Sequence, residues 1–197
     1  MPVYLKNSVF VHIPKTGGVW VERALLAWVE PSRGNNNKHE GHIMPDIEDE
    51  TACFAFVRHP VSWLKSLYYQ RKRKRWNWQN LPLRIERDCG AKTLNNFIDN
   101  VANNKGAVKE YFDHYIGKYE NKKNFYLGKT ETLSEDLIGF LNKFGENYND
   151  KAIRLYGKSK QNASRDVKIE TLAPDAYQKI YDSQRDYYDK YDYGINL

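Results

Sequence analysis

Two short runs, SVFVHI at 8–13 and ACFAFV at 52–57, constrain the fold more than anything else in the chain. Both are apolar at nearly every position and rich in β-branched or aromatic residues. An amphipathic helix would repeat every 3.6 residues and a half-exposed strand every two. A short run that is apolar throughout reads as a strand buried on both faces. Such strands belong to parallel sheets covered by helices, so an α/β, three-layer fold with a central parallel sheet is expected.

The rest of the chain fits that alternation. Val19, Trp20, Val21, Ala24, Leu25, Ala27 and Trp28 have helical spacing from Gly18 to about Val29, and Pro31 and Gly34 end the helix. Residues 32–50 are polar and predict a long loop. A helix opening near Pro60 runs to about Trp76. Further helices are expected over 92–103 and 107–118, a short strand over Asn124–Leu127 with a turn from Gly128, and a helix over Glu131–Phe144. Residues 146–170 predict a loop, and Ala173–Tyr191 the last helix. No internal repeat interrupts this order, so one domain over 1–197 is expected.

Composition narrows the chemistry. The chain carries 15 Tyr, 8 Phe and 5 Trp in 197 residues, which suits a packed core rather than a disordered chain. Its net charge of +6 favours anionic partners. Cys53 and Cys89 make neither a disulfide framework nor a CxxC metal site. His39 and His42 lack further ligands around them, so no metal is expected. No secretory leader and no run of 18 apolar residues is visible, so a cytoplasmic protein without a membrane anchor is expected.

The first strand runs into HIPKTGG at 12–18, and a helix follows. A strand, a glycine-bearing loop and a helix N-terminus make a phosphate-site geometry: backbone N–H groups and the helix dipole point at the anion. Glycine lets the backbone come close. The Walker pattern is absent, because Lys15 precedes the glycines. The second strand ends in Arg58, where a nucleoside triphosphatase would tend to hold magnesium with an Asp.

HIPKTGG resembles the 5′-phosphosulfate loop of sulfotransferases that use 3′-phosphoadenylyl sulfate (PAPS), above all the carbohydrate branch with the heparan and chondroitin enzymes. FVRHPVSWLKSLYY (56–69) resembles their 3′-phosphate element, R-x-P-x-x-x-x-x-S, with Arg58 and Ser66 eight apart. EGHIMPDI (40–47) resembles the segment that carries the proposed base of the heparan 2-O-sulfotransferase group. The resemblance implies a P-loop NTPase-like fold, PAPS as co-substrate, adenosine 3′,5′-bisphosphate as product and no metal. It implies Lys15, Thr16, Gly17, Gly18, Val19 and Trp20 at the 5′-phosphate, and Arg58 and Ser66 at the 3′-phosphate. Lys15 would also stabilise charge on the leaving oxygen. His42 would be the base, since its pKa lies near the operating pH; His39 and Glu40 are the alternatives and candidate substrate contacts.

KSKQNASRD (158–166) sits where the family closes a loop over the nucleotide, which makes Asn162, Ser164 and Arg165 candidates. FYLGKTETL (125–133) and SQRDYYDKYDYGI (183–195) resemble the family's later strand and final helix. Val19 departs from the pattern, which often has Ser or Thr there. The chain is short for this branch and lacks the Golgi anchor of the animal enzymes; a bacterial or viral enzyme, or a trimmed catalytic domain, would account for both.

The basic run KSLYYQRKRKRW (65–76) contains no acid. Arg71 and Arg73 are candidate contacts to an anionic glycan acceptor. A solvated helix end, where cations complement the dipole, explains the run equally, and nucleic acid would need the same residues. The reaction expected is sulfuryl transfer to a hydroxyl, on a carbohydrate. The rivals are a nucleotide or small-molecule kinase with a variant loop and a nucleotide-binding protein without catalysis.

Overall fold

The computed structural model describes residues 2–34, 46–73, 83–158 and 170–195. Its strands are β1 (Val3–Tyr4), β2 (Ser8–Phe10), β3 (Val29–Glu30), β4 (Arg33–Gly34), β5 (Ala52–Val57), β6 (Phe125–Lys129) and β7 (Asn147–Tyr148). Its helices are α1 (Gly18–Trp28), α2 (Pro60–Arg73), α3 (Arg84–Asp88), α4 (Leu94–Asn103), α5 (Ala107–Ile116), α6 (Leu133–Lys143), α7 (Asp150–Gly157), α8 (Ala176–Ser183) and α9 (Arg185–Tyr191). Two compact units share them, one over Met1–Arg58 and Tyr115–Ala163, the other over His59–His114 and Ser164–Leu197.

The first unit holds an α/β sheet of five strands in the order β4-β1-β2-β5-β6. β2, β5 and β6 are parallel, with Phe10 opposite Phe54 and Val57 opposite Lys129. β1 runs antiparallel to both β2 and β4. The sheet is therefore mixed rather than wholly parallel, because β1 and β2 are joined by a short turn in which Leu5 N–H donates to Ser8 O at 2.8 Å. Phe10, Phe54 and Phe56 lie in one core cluster with Val21, Ala24 and Leu25 of α1, Leu137 and Leu141 of α6, and Ile153 of α7. The alternate residues Val9, Cys53, Ala55 and Val57 are buried too. Burial on both faces is what left the two runs without a polar period.

Several boundaries differ from the sequence reading. β2 ends at Phe10, although Val11 N–H still reaches Phe54 O at 2.8 Å. β6 runs on through Gly128, where a turn was expected. A Cβ there would come within 2.6 Å of Phe56 Cε1, so Gly128 serves close packing inside a strand. α7 forms where a loop was expected: Asn149 Oδ1 accepts from Ala152 N–H at 3.0 Å and Ile153 is fully buried.

The second unit is helical and aromatic. Trp63 of α2 meets Tyr111 and Phe112 of α5 edge-on at 4.7 and 5.2 Å, and Phe112 meets Tyr187 of α9 at 4.8 Å. The last helix is not continuous; it breaks between α8 and α9 at Gln184. That side chain is fully buried, donates to Val101 O and Asn104 O at 3.0 Å each, and accepts from Val108 N–H at 3.1 Å. A buried amide satisfied on both ends fixes the bend. No helix among the described residues is long and apolar enough to cross a membrane.

Candidate functional site

The loop between β2 and α1 has an uncommon backbone. φ is +71° at Lys15 and +80° at Gly17, while Thr16 and Gly18 stay outside the left-handed region. Residues that alternate in the sign of φ turn successive N–H groups toward one point and form an anion-binding concavity. α1 opens directly from it, with no acidic residue in its first turn. A helix N-terminus without a carboxylate leaves its positive dipole end to an external anion.

The carbonyls of this loop are held. Thr16, fully buried, donates its hydroxyl to Ile13 O at 2.9 Å. Arg58 Nη1 donates to Lys15 O at 3.2 Å. Thr130 Oγ1 lies 3.0 Å from Thr16 O and 2.9 Å from Val57 O, and shares one proton between them. Gly17 O accepts from Trp20 N–H at 2.8 Å and Val21 N–H at 3.2 Å. The two amides at the start of α1, Gly18 and Val19, have no acceptor inside the helix.

Gly18 is also required sterically. A Cβ there would fall 2.0 Å from His12 Cδ2 and 2.2 Å from Nε2. His12 stacks on Phe10, with ring centroids 5.9 Å apart and planes 22° apart. Burial, helped by the charge of Lys15, pulls its pKa down to about 3. The imidazole is therefore neutral at pH 7, and its 3.9 Å approach to Glu22 is no ion pair. The sequence reading did not single out His12. Its signal was a histidine near the end of an apolar run, five residues before Gly17.

Trp20, expected at the 5′-phosphate, is 8% exposed and stacks on Tyr156 at 5.2 Å. Its N–H already serves Gly17 O, which leaves the structural share of that residue as packing. Val19 projects outward at 44% exposure. Arg58 follows β5 directly, and Lys129 ends β6 in register with Val57. Lys129 thus closes one of the three parallel strands, and Arg58 and Lys15 follow the carboxyl ends of the other two, the end at which open α/β sheets bind ligands. A glycine at 128 predicts a turn, and the strand instead continues through it to Lys129.

Ser66 lies half-buried on α2, in the second unit. Arg71, on the same helix, corrects an expectation. It is 6% exposed and forms a buried ion pair with Glu86, itself 3% exposed, so it does not face an acceptor. Leu64, Leu67, Tyr68 and Arg71 share the buried helical stripe, a period the basic run concealed. Lys72 pairs with Glu170 at 2.8 Å, and Arg73 is exposed.

His39, Glu40 and His42 lie outside the described residues, as do Asn162, Ser164 and Arg165. The end of the segment that carries the three candidate bases is tied down. Lys118 Nζ meets Asp46 Oδ1 at 3.0 Å, and Lys122 Nζ donates to Ile47 O at 2.7 Å and Asp49 Oδ1 at 2.5 Å. That lysine holds the Asp49 carboxyl below its usual pKa. Comparison with protein-family models, with curated proteins and with solved structures finds no match.

Proposed function

We propose that the chain is a sulfotransferase that moves a sulfuryl group from PAPS to a hydroxyl, with a carbohydrate as acceptor. The observation that carries the reading is the alternation of φ over 15–18 at the start of α1, beside Lys15 and Arg58. It supports a site for a phosphate ester, and the order of the sequence motifs supports PAPS as that ester.

In the reaction proposed, the acceptor oxygen attacks sulfur in line with the bridging oxygen. The new S–O bond forms as the bond to the 5′-phosphate oxygen breaks, and that oxygen keeps the electron pair. Amides of the 16–19 loop hold the phosphate, and Lys15 offsets its growing charge. His42 takes the acceptor proton. Arg58 offers a planar fork to the 3′-phosphate, and motif spacing assigns Ser66 to the same group. Positioning and electrostatics supply most of the acceleration, as in phosphoryl transfer.

Calorimetry with adenosine 3′,5′-bisphosphate, AMP and magnesium ATP tests the reading. Tight binding of the bisphosphate alone is expected. Equal binding of AMP would remove Arg58 from the 3′-phosphate, and preference for magnesium ATP would make the chain a kinase. Radiolabelled PAPS with a panel of glycans, phenols and peptides then reports turnover, which His42→Ala should abolish.

A further inference from the structure

We infer that Thr130, which begins the turn after β6, is a positioning residue that aims the Gly17 amide at the bound phosphate. The inference rests on the phosphate-site reading above. It starts from peptide geometry: in a trans peptide the C=O and the next N–H point in opposite directions. A held carbonyl therefore aims the amide that follows it.

Three consecutive peptides of the loop are held this way. Arg58 holds Lys15 O and so aims Thr16 N–H. Thr130 holds Thr16 O and so aims Gly17 N–H. The first turn of α1 holds Gly17 O and so aims Gly18 N–H. The middle peptide is the vulnerable one. It ends in a glycine at φ +80°, which has no Cβ to resist another backbone state. If that peptide turned over, a carbonyl oxygen would replace an N–H at the anion and repel it.

The Thr130 hydroxyl is placed to prevent this. It also lies 2.9 Å from Val57 O, the carbonyl that immediately precedes Arg58. One neutral hydroxyl thus spans the phosphate loop and the strand end that presents the guanidinium. It fixes their separation without adding charge. Thr132 supplies a contrast in the same turn: its hydroxyl donates to Asp136 Oδ2 at 2.8 Å and touches no loop carbonyl.

The test compares wild type with Thr130→Val, Thr130→Ser and Thr132→Val. Adenosine 3′,5′-bisphosphate is titrated by calorimetry, and inorganic phosphate is titrated while amide ¹H–¹⁵N signals are followed. Thr130→Val should weaken the bisphosphate about tenfold, the worth of one hydrogen bond, and should abolish the phosphate-induced shift of Gly17 N–H. Thr130→Ser should restore both, and Thr132→Val should change neither. If Thr130→Val does not fold, the wild-type titration still decides: phosphate must shift Gly17 N–H together with Gly18 N–H. A Gly17 signal that stays still while Gly18 moves, or a Thr130→Val protein that binds as wild type does, overturns the role of Thr130 alone. Wild-type protein that binds neither probe overturns the phosphate-site reading itself.

Discussion

Gly18→Ala is the most direct perturbation of the loop. The added Cβ would sit 2.0 Å from His12 Cδ2, 2.2 Å from Nε2 and 2.7 Å from Cγ. All three are ring atoms, so the whole imidazole must move. It is backed by Phe10, which is fully buried beside Phe54 at 5.5 Å, and has little space to enter. Overpacking of this kind costs about 1–3 kcal/mol, and the upper half of that range is expected here. For a chain of this size the midpoint of thermal unfolding should fall by roughly 5–10 °C. His12→Ala alone should also destabilise, by about 2–4 kcal/mol, because it empties a packed site. Together the two changes should not add. The new methyl enters the space the ring has left, so a coupling of about 1–3 kcal/mol in favour of the double variant is expected. Thermal unfolding of the four proteins closes the cycle, and bisphosphate titration should show affinity lost in Gly18→Ala and partly recovered in the double variant. Gly18→Ala melting with the wild type, or strict additivity, would refute the packing argument.

Three further outcomes follow from the same geometry. His12 is neutral in the fold, with a pKa lowered from 6.5 to about 3. The unfolded chain thus binds the extra proton as pH falls below 6.5; the stabilisation is complete above that pH and is lost toward pH 3. Between pH 5.5 and 4, where the unfolded imidazole is protonated and the folded one is not, the wild type should lose up to about 1.4 kcal/mol per pH unit more than His12→Gln, by denaturant titration. Arg71→Ala should cost about 3–5 kcal/mol by leaving Glu86 buried and unpaired, whereas Arg73→Ala should stay within about 0.5 kcal/mol. An Arg71→Ala protein of wild-type stability that fails only with anionic glycans would return that residue to the acceptor. Lys15→Met should cut turnover at least about a hundredfold with unfolding hardly changed, and equal losses of rate and stability would count against a charge-stabilising role.

Much of the first unit was legible because its signals are local. Ser8–Ile13 and Ala52–Val57 announce buried strands by lacking any polar period, and two glycines after a lysine mark a turn wherever they stand. What stayed hidden depends on distant partners. β1 is two residues long and gains meaning only beside Phe10 and Val9. α7 is only eight residues long, and its inward face, Ile153 with Tyr156, spans little more than one turn of a polar stretch. The break at Gln184 is set by carbonyls 80 or more residues away in the chain. In the site, the types of Lys15 and Arg58 were readable, but the grip of Arg58 on Lys15 O was not. Lys129 and Thr130 became visible only once Gly128 proved to be strand. Arg71 stands in a basic run whose charge conceals the helical phase that buries it.

Lys15 carries a consequence for anyone selecting variants of this chain. Its φ of +71° is a region where a side chain with a Cβ costs about 1 kcal/mol or more. Glycine would relax it, and asparagine would sit there more easily than lysine. A screen for heat resistance should therefore enrich changes at position 15 early, and the survivors should be hardier proteins that have lost the cation. Stability and chemistry pull one backbone angle in opposite directions, so thermal screening of this loop needs an activity readout beside it.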